Sequence, residues 1–185
     1  MAVKLLRPPL TDKVVAELRA GDPVLITGEL YAARDAVHKL WAELLKQGRP
    51  LPVNLEGQII YYVGPSPARA GRPVGAAGPT TSGRMDPFTP QLLARTGLKA
   101  MIGKGSRSEA VKQALIEHRA VYLAAVGGAG ALLSQKIRSC RVVAYPELGP
   151  EALQVLEVED FPAVVINDCY GGDLYVEGRQ EYARR

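Results

Sequence analysis

The sequence has few of the residues that hold metals or covalent cross-links. It contains two cysteines, two histidines and no CxxC pair among 185 residues. Two thiols cannot complete a structural zinc site or ligate an iron–sulfur cluster unaided, and a disulfide is not expected in a reducing compartment. We therefore predict that Cys140 and Cys169 are buried thiols and that this chain supplies no metal ligands. His38 and His118 fall on predicted helices, where packing or solvent exposure is expected.

Long apolar runs and aromatic–basic clusters are also missing. No apolar stretch approaches the ~20 residues needed to cross a bilayer, and the first residues lack the apolar segment of a signal peptide. We therefore expect a cytoplasmic protein without membrane contact. There are only two phenylalanines, and the net charge of +4 is spread along the chain. Nucleic-acid binding is disfavoured as a result, whereas a mild positive charge suits a small acidic ligand.

The remaining composition is that of a globular protein with alternating strand and helix patterns. Apolar residues make up 47% of the chain, enough for a single domain over residues 1–185 with a substantial core. The middle of the chain alternates strands with helices, and both ends favour strands, so the sequence predicts an α/β fold with a partly parallel sheet. Helices are predicted at 11–20, 37–47, 87–96, 108–118 and after 130, and strands at 5–10, 24–31, 59–63, 99–102, 120–126, 141–145, 156–159, 163–166 and 174–176.

A glycine-bounded segment, residues 78–86 (GPTTSGRMD), is the strongest candidate for a ligand site. Its glycines let the main chain approach a ligand closely, and its three consecutive hydroxyls at 80–82 could orient a bound anion or relay a proton. Asp86 and Pro87 resemble an N-cap followed by a first-turn proline, which predicts a helix start there. Backbone N–H groups ahead of a helix favour an anion. The alternative is a tight turn without a ligand.

Three cations follow predicted strands, at the edge where α/β folds bind ligands. They are Arg34, Arg84 and Lys104. Lys104 lies between two glycines and has little to pack against, whereas Arg34 and Asp35 could simply cap and charge the helix that follows. An arginine presents a planar fork to a carboxylate and a lysine presents a point charge. Two arginines and a lysine in one crevice would therefore suit a dicarboxylate.

The glycine-rich segments do not match nucleotide-binding loops. Residues 78–83 have the Walker spacing, but Arg84 and Met85 replace the lysine and the hydroxyl residue that reach the phosphates and magnesium. The segments at 97–103 and 128–130 miss their consensus motifs by spacing or by a glycine. A smaller anion remains the favoured ligand. The sequence also offers no paired catalytic carboxylates and no Ser-His-Asp set.

The order of these motifs resembles one family over nearly the whole chain. Residues 78–86 and 102–105 (IGKG) closely resemble the β-subunit, or C-terminal domain, of class I fumarases and L-tartrate dehydratases. Supporting matches run in order along the chain at 31–38 (YAARDAVH), 51–54 (LPVN), 61–65 (YYVGP), 127–129 (GGA) and 158–163 (VEDFPA).

The resemblance implies a hydro-lyase that adds or removes water across a dicarboxylate double bond. In this family a [4Fe-4S] cluster is held by three cysteines of a partner α-subunit, where it acts as a Lewis acid. The implied fold is a swivelling β/β/α domain. Homodimeric contacts within an α2β2 assembly are expected, and a simple heterodimer with the α-subunit is the alternative. By motif position, Arg34, Thr81, Arg84 and Lys104 would bind the substrate, and Thr80 would lie beside the reacting carbon as the proton-transfer residue.

The choice of substrate stays open. Residues 51–53 and 61–65 favour fumarate, with L-tartrate as the second expectation, because motifs shared by both enzymes cannot distinguish substrates that differ in hydroxyl groups. Two positions depart from the family pattern: Ala32 replaces a frequent threonine, and residues 169–172 (CYGG) replace a more polar turn. A non-catalytic dicarboxylate-binding domain is the alternative from another functional class.

Overall fold

The computed structural model describes residues 2–68 and 70–183. Within them the strands are β1 Lys4–Leu6, β2 Pro23–Ala32, β3 Ile59–Tyr61, β4 Ala100–Gly103, β5 Val121–Ala124, β6 Ile137–Ala144 and β7 Leu153–Asn167. The α-helices are α1 Asp12–Ala16, α2 Asp35–Lys46, α3 Thr89–Thr96, α4 Glu109–Glu117, α5 Gly130–Ser134 and α6 Leu174–Tyr182. Short 3-10 turns span Ser82–Met85 and Pro146–Glu151. None of the helices in these two ranges combines the length and the apolar character needed to span a membrane.

All seven described strands belong to one mixed sheet, in the order β1-β2-β3-β4-β5-β7-β6. The first five pair in parallel, and β7 runs antiparallel to β5 and β6. The long β7 also pairs with the whole length of β2, from Pro23↔Val164 to Ala32↔Gln154. This extra pairing closes β2, β3, β4, β5 and β7 into a barrel, with β1 and β6 outside it. The predicted α/β fold with a partly parallel sheet is confirmed.

Strands β3, β4 and β5 are buried on both faces, and their side chains alternate between two apolar clusters. Ile59, Tyr61 and Val63 belong to the cluster that fills the barrel. Ile60 and Tyr62 belong to the cluster that lies under helices α2, α3 and α4. The continuous apolar run at 59–63 therefore has the two-sided burial that parallel strands show. The two sides of the closed sheet and the helices that pack on it form the β/β/α layers implied by the family resemblance.

The predicted helix start at Asp86 is wrong. A 3-10 turn ends at Met85, and α3 begins only at Thr89, with Pro90 in its first turn. The Asp86 carboxylate does not cap a helix, because it accepts hydrogen bonds from the side chain of Arg107 and the backbone N–H of Ser108, both at 2.7 Å. A local pattern of Asp followed by Pro could not reveal this long-range contact.

The predicted strand at 174–176 is also wrong, because these residues open helix α6. The Asp173 side chain accepts a hydrogen bond from the Tyr175 N–H at 3.0 Å, and this N-cap outweighs the β-branched and aromatic residues that follow.

The two predicted strands at 156–159 and 163–166 are one continuous strand, β7. Asp160 adopts a φ of 50°, and the pairing register with β2 shifts between Ile26 and Gly28. The chain therefore continues as one strand through Pro162. This proline lies between the part of β7 that pairs with β6 and the part that pairs with β5, so its missing N–H interrupts neither pairing.

Candidate functional site

The carboxyl ends of β2, β3 and β4 meet at one edge of the barrel, because these strands are parallel neighbours. Arg34 follows β2 and is the N-cap residue of α2. Residues 62–64 follow β3, and the Thr80 N–H donates to the Tyr62 carbonyl at 2.7 Å. Lys104 directly follows β4. The structure thus places residues from three distant parts of the sequence at the edge where α/β folds bind ligands.

Residues 80–82 pair with Lys104 like a short extra strand. The Lys104 N–H donates to the Thr80 carbonyl at 3.2 Å, and the Ser82 N–H donates to the Lys104 carbonyl at 2.9 Å. Thr81 and Lys104 form a parallel bridge. Thr80 is half-buried, whereas Thr81 and Lys104 are exposed. Backbone hydrogen bonds therefore fix these three predicted site residues relative to one another.

Ser82 points inward, so it is not one of the hydroxyls that a ligand could reach. Its side chain is fully buried, and its Oγ lies 2.8 Å from the Tyr122 hydroxyl. Tyr122 in turn donates to the Gly105 carbonyl at 2.9 Å. Burial raises the pKa of Tyr122 above its ordinary value, so this phenol keeps its proton. Three consecutive hydroxyls suggested one polar surface, but side chains of an extended segment alternate in direction.

Gly103 leaves the space that Ser82 occupies. A Cβ at Gly103 would lie 1.9 Å from the Ser82 Oγ and 3.0 Å from the Tyr62 ring. Because Ser82 is held by Tyr122, we expect Gly103→Ala to lower the free energy of unfolding by about 1–3 kcal/mol. Urea denaturation would measure this loss. Gly83→Ala is the matched control, since a Cβ there meets nothing within 4 Å, and equal stability of the two variants would contradict the expectation.

Arg84 and Lys104 carry the positive charge that is available to a ligand. Both side chains are exposed. Within residues 2–68 and 70–183, neither of them has a carboxylate within 4.0 Å. A Cβ at Gly127 would lie 3.5 Å from Lys104 Cδ, so the lysine stem passes close to this glycine. The arrangement leaves two cations open to solvent on one edge of the barrel.

Arg34 lies at the same edge but already has carboxylate partners. Its Nη1 is 3.1 Å from Glu151 Oε1, and its Nη2 is 3.5 Å from Asp35 Oδ1. Arg34 occupies the N-cap position of α2 and Asp35 lies in its first turn, as the capping alternative expected, although the Arg34 side chain makes no capping hydrogen bond. Gly64 lies against the guanidinium, because a Cβ there would be 3.2 Å from Arg34 Nη1. A ligand carboxylate would have to compete with Glu151 for this arginine.

His38 packs beneath Arg34, so of the two roles expected for it, packing and solvent exposure, the structure shows packing. It is buried, its Nδ1 lies 2.8 Å from the Arg34 carbonyl oxygen, and its ring is 5.4 Å from those of Trp41 and Tyr62. Burial lowers the pKa of His38 from 6.5 to about 4. The imidazole is therefore neutral near pH 7, and its Nδ1–H donates to the carbonyl.

The depressed pKa of His38 predicts a loss of stability in acid. In the unfolded chain this histidine takes up a proton near pH 6.5, but in the folded chain only near pH 4. Unfolding therefore takes up a proton as the pH falls through this window, and the free energy of unfolding should decrease by about 3 kcal/mol across it. Denaturation at several pH values should show a shallower decrease for His38→Asn than for the wild type. Identical slopes would contradict the assignment.

Arg107 is a buried cation that the sequence patterns did not single out. Its side chain has 0% exposure and its Nε donates to Asp86 Oδ1 at 2.7 Å. Its Nη2 donates to Thr89 Oγ1 at 2.9 Å. Arg107 lies in a polar, glycine-containing segment, residues 105–108 (GSRS), whose composition predicts an exposed turn. The spacing of apolar residues contains no signal that could have predicted its burial.

The two cysteines do not fit an iron–sulfur cluster. Cys140 lies on β6, with its Sγ 3.2 Å from Gln154 Oε1, whereas Cys169 is buried just after β7. Burial raises the pKa of both thiols, which disfavours the thiolate form that binds iron. In the part of the chain that the structure describes, no three His, Cys, Asp or Glu side chains converge on a possible metal position.

The candidate site is an open edge of the barrel and not an enclosed pocket. A cleft of about 780 Å³ lies elsewhere, between residues 45–56 and the end of α3 at 95–96. The exposed Thr81, Arg84 and Lys104 are not among its lining residues. A small ligand held at this edge would stay partly open to solvent on the side away from the chain.

A mixed α/β barrel with a polar, cationic edge defines the class of domain, and comparison with known proteins identifies its family. Residues 1–178 match the family model described as Fumarase C-terminus. The chain belongs to this family, which confirms the resemblance seen in its motifs.

Similar proteins include both enzymes expected from the motifs. The anaerobic class I fumarate hydratase of Escherichia coli K12 is 42% identical over 151 residues, covering 81% of this chain and 28% of that protein. A putative class I fumarate hydratase of Geobacillus stearothermophilus is 40% identical over 174 residues, covering 92% and 33%. A putative L(+)-tartrate dehydratase subunit beta of Methanocaldococcus jannaschii is 37% identical over 173 residues, covering 91% and 89%.

These relatives differ in how much of their length the chain matches. The chain spans at most 33% of the length of these two fumarate hydratases but 89% of the tartrate dehydratase subunit. Both names denote hydro-lyases, enzymes that add or remove water. The family is therefore one of lyases, and this chain corresponds to a fraction of the longer members.

Proposed function

We propose that this chain, acting as one domain over residues 1–185, is the β-subunit part of an iron–sulfur hydro-lyase that interconverts fumarate and malate. The observation that carries the proposal is the backbone pairing of Thr80 and Thr81 with Lys104, close in sequence to the exposed Arg84. This pairing brings two hydroxyls together with two cations that have no carboxylate partner among the described residues. Cations of this kind can hold a dicarboxylate, and a hydroxyl beside it can transfer a proton.

In this proposal the cations bind the two substrate carboxylates. Arg84 offers a planar fork suited to bidentate hydrogen bonding, and Lys104 offers a point charge. Thr81, exposed beside Lys104, orients the bound carboxylate through its hydroxyl. Arg34 contributes when a substrate carboxylate replaces Glu151, whose side chain now lies 3.1 Å from the guanidinium.

Thr80 is the proposed proton-transfer residue. Its position is fixed by two backbone hydrogen bonds, to Tyr62 and Lys104, so its hydroxyl can be held beside a reacting carbon. A threonine hydroxyl is a weak base, and it needs an activating neighbour to accept a proton. That neighbour and the second face of the site would come from the partner.

The [4Fe-4S] cluster is assigned to an α-subunit or α-domain, because Cys140 and Cys169 do not fit one. None of the roles proposed for this chain's residues depends on a cluster bound by the chain itself. The name of the Methanocaldococcus jannaschii relative describes a beta subunit, which supports a separate partner. We propose an α2β2 assembly with homodimeric contacts, in the cytoplasm.

L-tartrate is the second candidate substrate, favoured by the 37% identity to a protein named as a tartrate dehydratase subunit. The test is an anaerobic assay of the chain reconstituted with its cluster-bearing partner, using malate and L-tartrate separately. We expect malate to be dehydrated and tartrate to react more slowly. Turnover of tartrate alone would favour the second candidate. Inactivity toward both, with an intact cluster and dicarboxylate bound, would indicate a non-catalytic binding domain.

A further inference from the structure

The Asp86–Arg107 ion pair lies almost entirely inside the fold. The Arg107 side chain is fully buried and that of Asp86 is 14% exposed. The guanidinium also lies 4.9 Å from the ring centre of Tyr122 and 5.5 Å from that of Tyr62. Removing two charges from water costs about as much as their attraction returns, so a buried ion pair is weak evidence for a stabilising role. Its position in the fold suggests another role.

The ion pair joins the two turns that carry the exposed cations. Asp86 directly follows the 3-10 turn Ser82–Met85, which contains Arg84. Arg107 and Ser108 end the turn that begins at Lys104. One Asp86 oxygen accepts from Arg107 Nε at 2.7 Å, and the other accepts from the Ser108 N–H at 2.7 Å. A single carboxylate thus holds the far end of the lysine turn against the far end of the arginine turn.

The near ends of the same two turns are tied as well. The Ser82 N–H donates to the Lys104 carbonyl at 2.9 Å. The Tyr122 hydroxyl lies 2.8 Å from Ser82 Oγ and donates to the Gly105 carbonyl. With both ends fixed, buried contacts set the separation of the Arg84 and Lys104 backbones, even though both side chains lie in solvent.

We propose that the Asp86–Arg107 pair is a positioning device that sets the separation of Arg84 and Lys104, and thereby the length of dicarboxylate that the site accepts. This role rests on the proposed function, because it requires that both cations bind substrate carboxylates. The guanidinium of Arg84 and the ammonium of Lys104, held at a fixed spacing, match one distance between two carboxylates best. A 1 Å misplacement of a bound substrate can cost on the order of 100-fold in rate.

The test measures binding of unreactive dicarboxylates of increasing length to the reconstituted complex. Malonate, succinate and glutarate are titrated by calorimetry, so the readout does not depend on turnover. For the wild type we expect one of the three to bind about tenfold tighter than the others. Asp86→Asn keeps the size of the side chain but removes its charge, and it should reduce this preference to about twofold.

Two further variants separate positioning from folding. Asp86→Glu keeps the charge but lengthens the side chain, so the preference should move to a different length. Asp12→Asn is the matched control, because Asp12 forms a 2.7 Å pair with Lys99 at the opposite end of β4 from Lys104; its length preference should equal that of the wild type. A merely structural role would lower thermal stability in Asp86→Asn and Asp86→Glu without changing the preference of the folded fraction.

The outcomes distinguish this role from the proposed function. If the wild type binds succinate but Asp86→Asn and Asp86→Glu keep its length preference, the positioning role is refuted and the proposed function stands. The positioning role is also refuted if the wild type shows no length preference. If the wild-type complex binds none of the three dicarboxylates, both the proposed function and the positioning role are refuted.

Discussion

Replacing Thr80 with valine is expected to lower kcat for fumarate hydration by about 100-fold or more in the reconstituted enzyme, because proton transfer by a positioned side chain contributes at least this factor. Valine has nearly the same shape but lacks the hydroxyl. The contacts that hold this residue in place are backbone hydrogen bonds to Tyr62 and Lys104, so the fold should survive. Steady-state kinetics with malate and fumarate would measure the loss.

Thr80→Ser is the control for this prediction, since serine restores a hydroxyl at the same position. We expect it to recover most of the lost kcat, while thermal unfolding of both variants stays close to that of the wild type. If Thr80→Val turned over substrate at the wild-type rate, Thr80 would have no role in proton transfer.

Removing the guanidinium in Arg84→Ala is expected to raise KM by about 10- to 100-fold, since hydrogen bonds to charged groups contribute about 1.5–3 kcal/mol. The change in kcat should be smaller, because the carboxylate is bound in both the ground state and the transition state. Arg84 is exposed and has no described carboxylate partner, so stability should hardly change. Steady-state kinetics over a wide substrate range would separate KM from kcat.

Arg95→Ala provides the matched control for Arg84. Arg95 is also an exposed arginine, but it lies at the end of α3 beside the large cleft, away from residues 80–82 and Lys104. Its loss removes the same charge from the protein and should leave KM unchanged. Equal effects of the two substitutions would mean that overall charge, and not a specific contact, determines substrate affinity.

Much of the fold could be predicted from the sequence because the barrel strands carry strong local patterns. The run at 59–63 is apolar throughout, and this property follows directly from burial on both faces of a parallel strand. Barrel closure could not be predicted, because it depends on the pairing of β2 with β7, which are far apart in sequence. The wrong strand at 174–176 has a related cause, since a cap from Asp173 outweighed the propensity of the residues that follow.

The location of the candidate site could be predicted better than its internal contacts. Arg84, Lys104 and residues 80–82 were expected at one strand edge, and the structure brings them together there. The inward direction of Ser82 depends on Tyr122, and the role of Asp86 depends on Arg107. Both partners are distant in sequence, and no local pattern links Tyr122 to Ser82 or Arg107 to Asp86, so only the folded chain reveals these contacts. The catalytic and binding roles of the site residues remain predictions.

We propose that this chain provides half of an active site whose other half belongs to a cluster-bearing partner. The most direct measurement is an anaerobic titration, in which increasing amounts of the chain are added to a fixed amount of the partner and malate dehydration is followed. We expect the chain alone and the partner alone to be inactive, and the activity to rise until the two are equimolar. Full activity of the partner alone, or no activity at any ratio with the cluster intact, would contradict the claim.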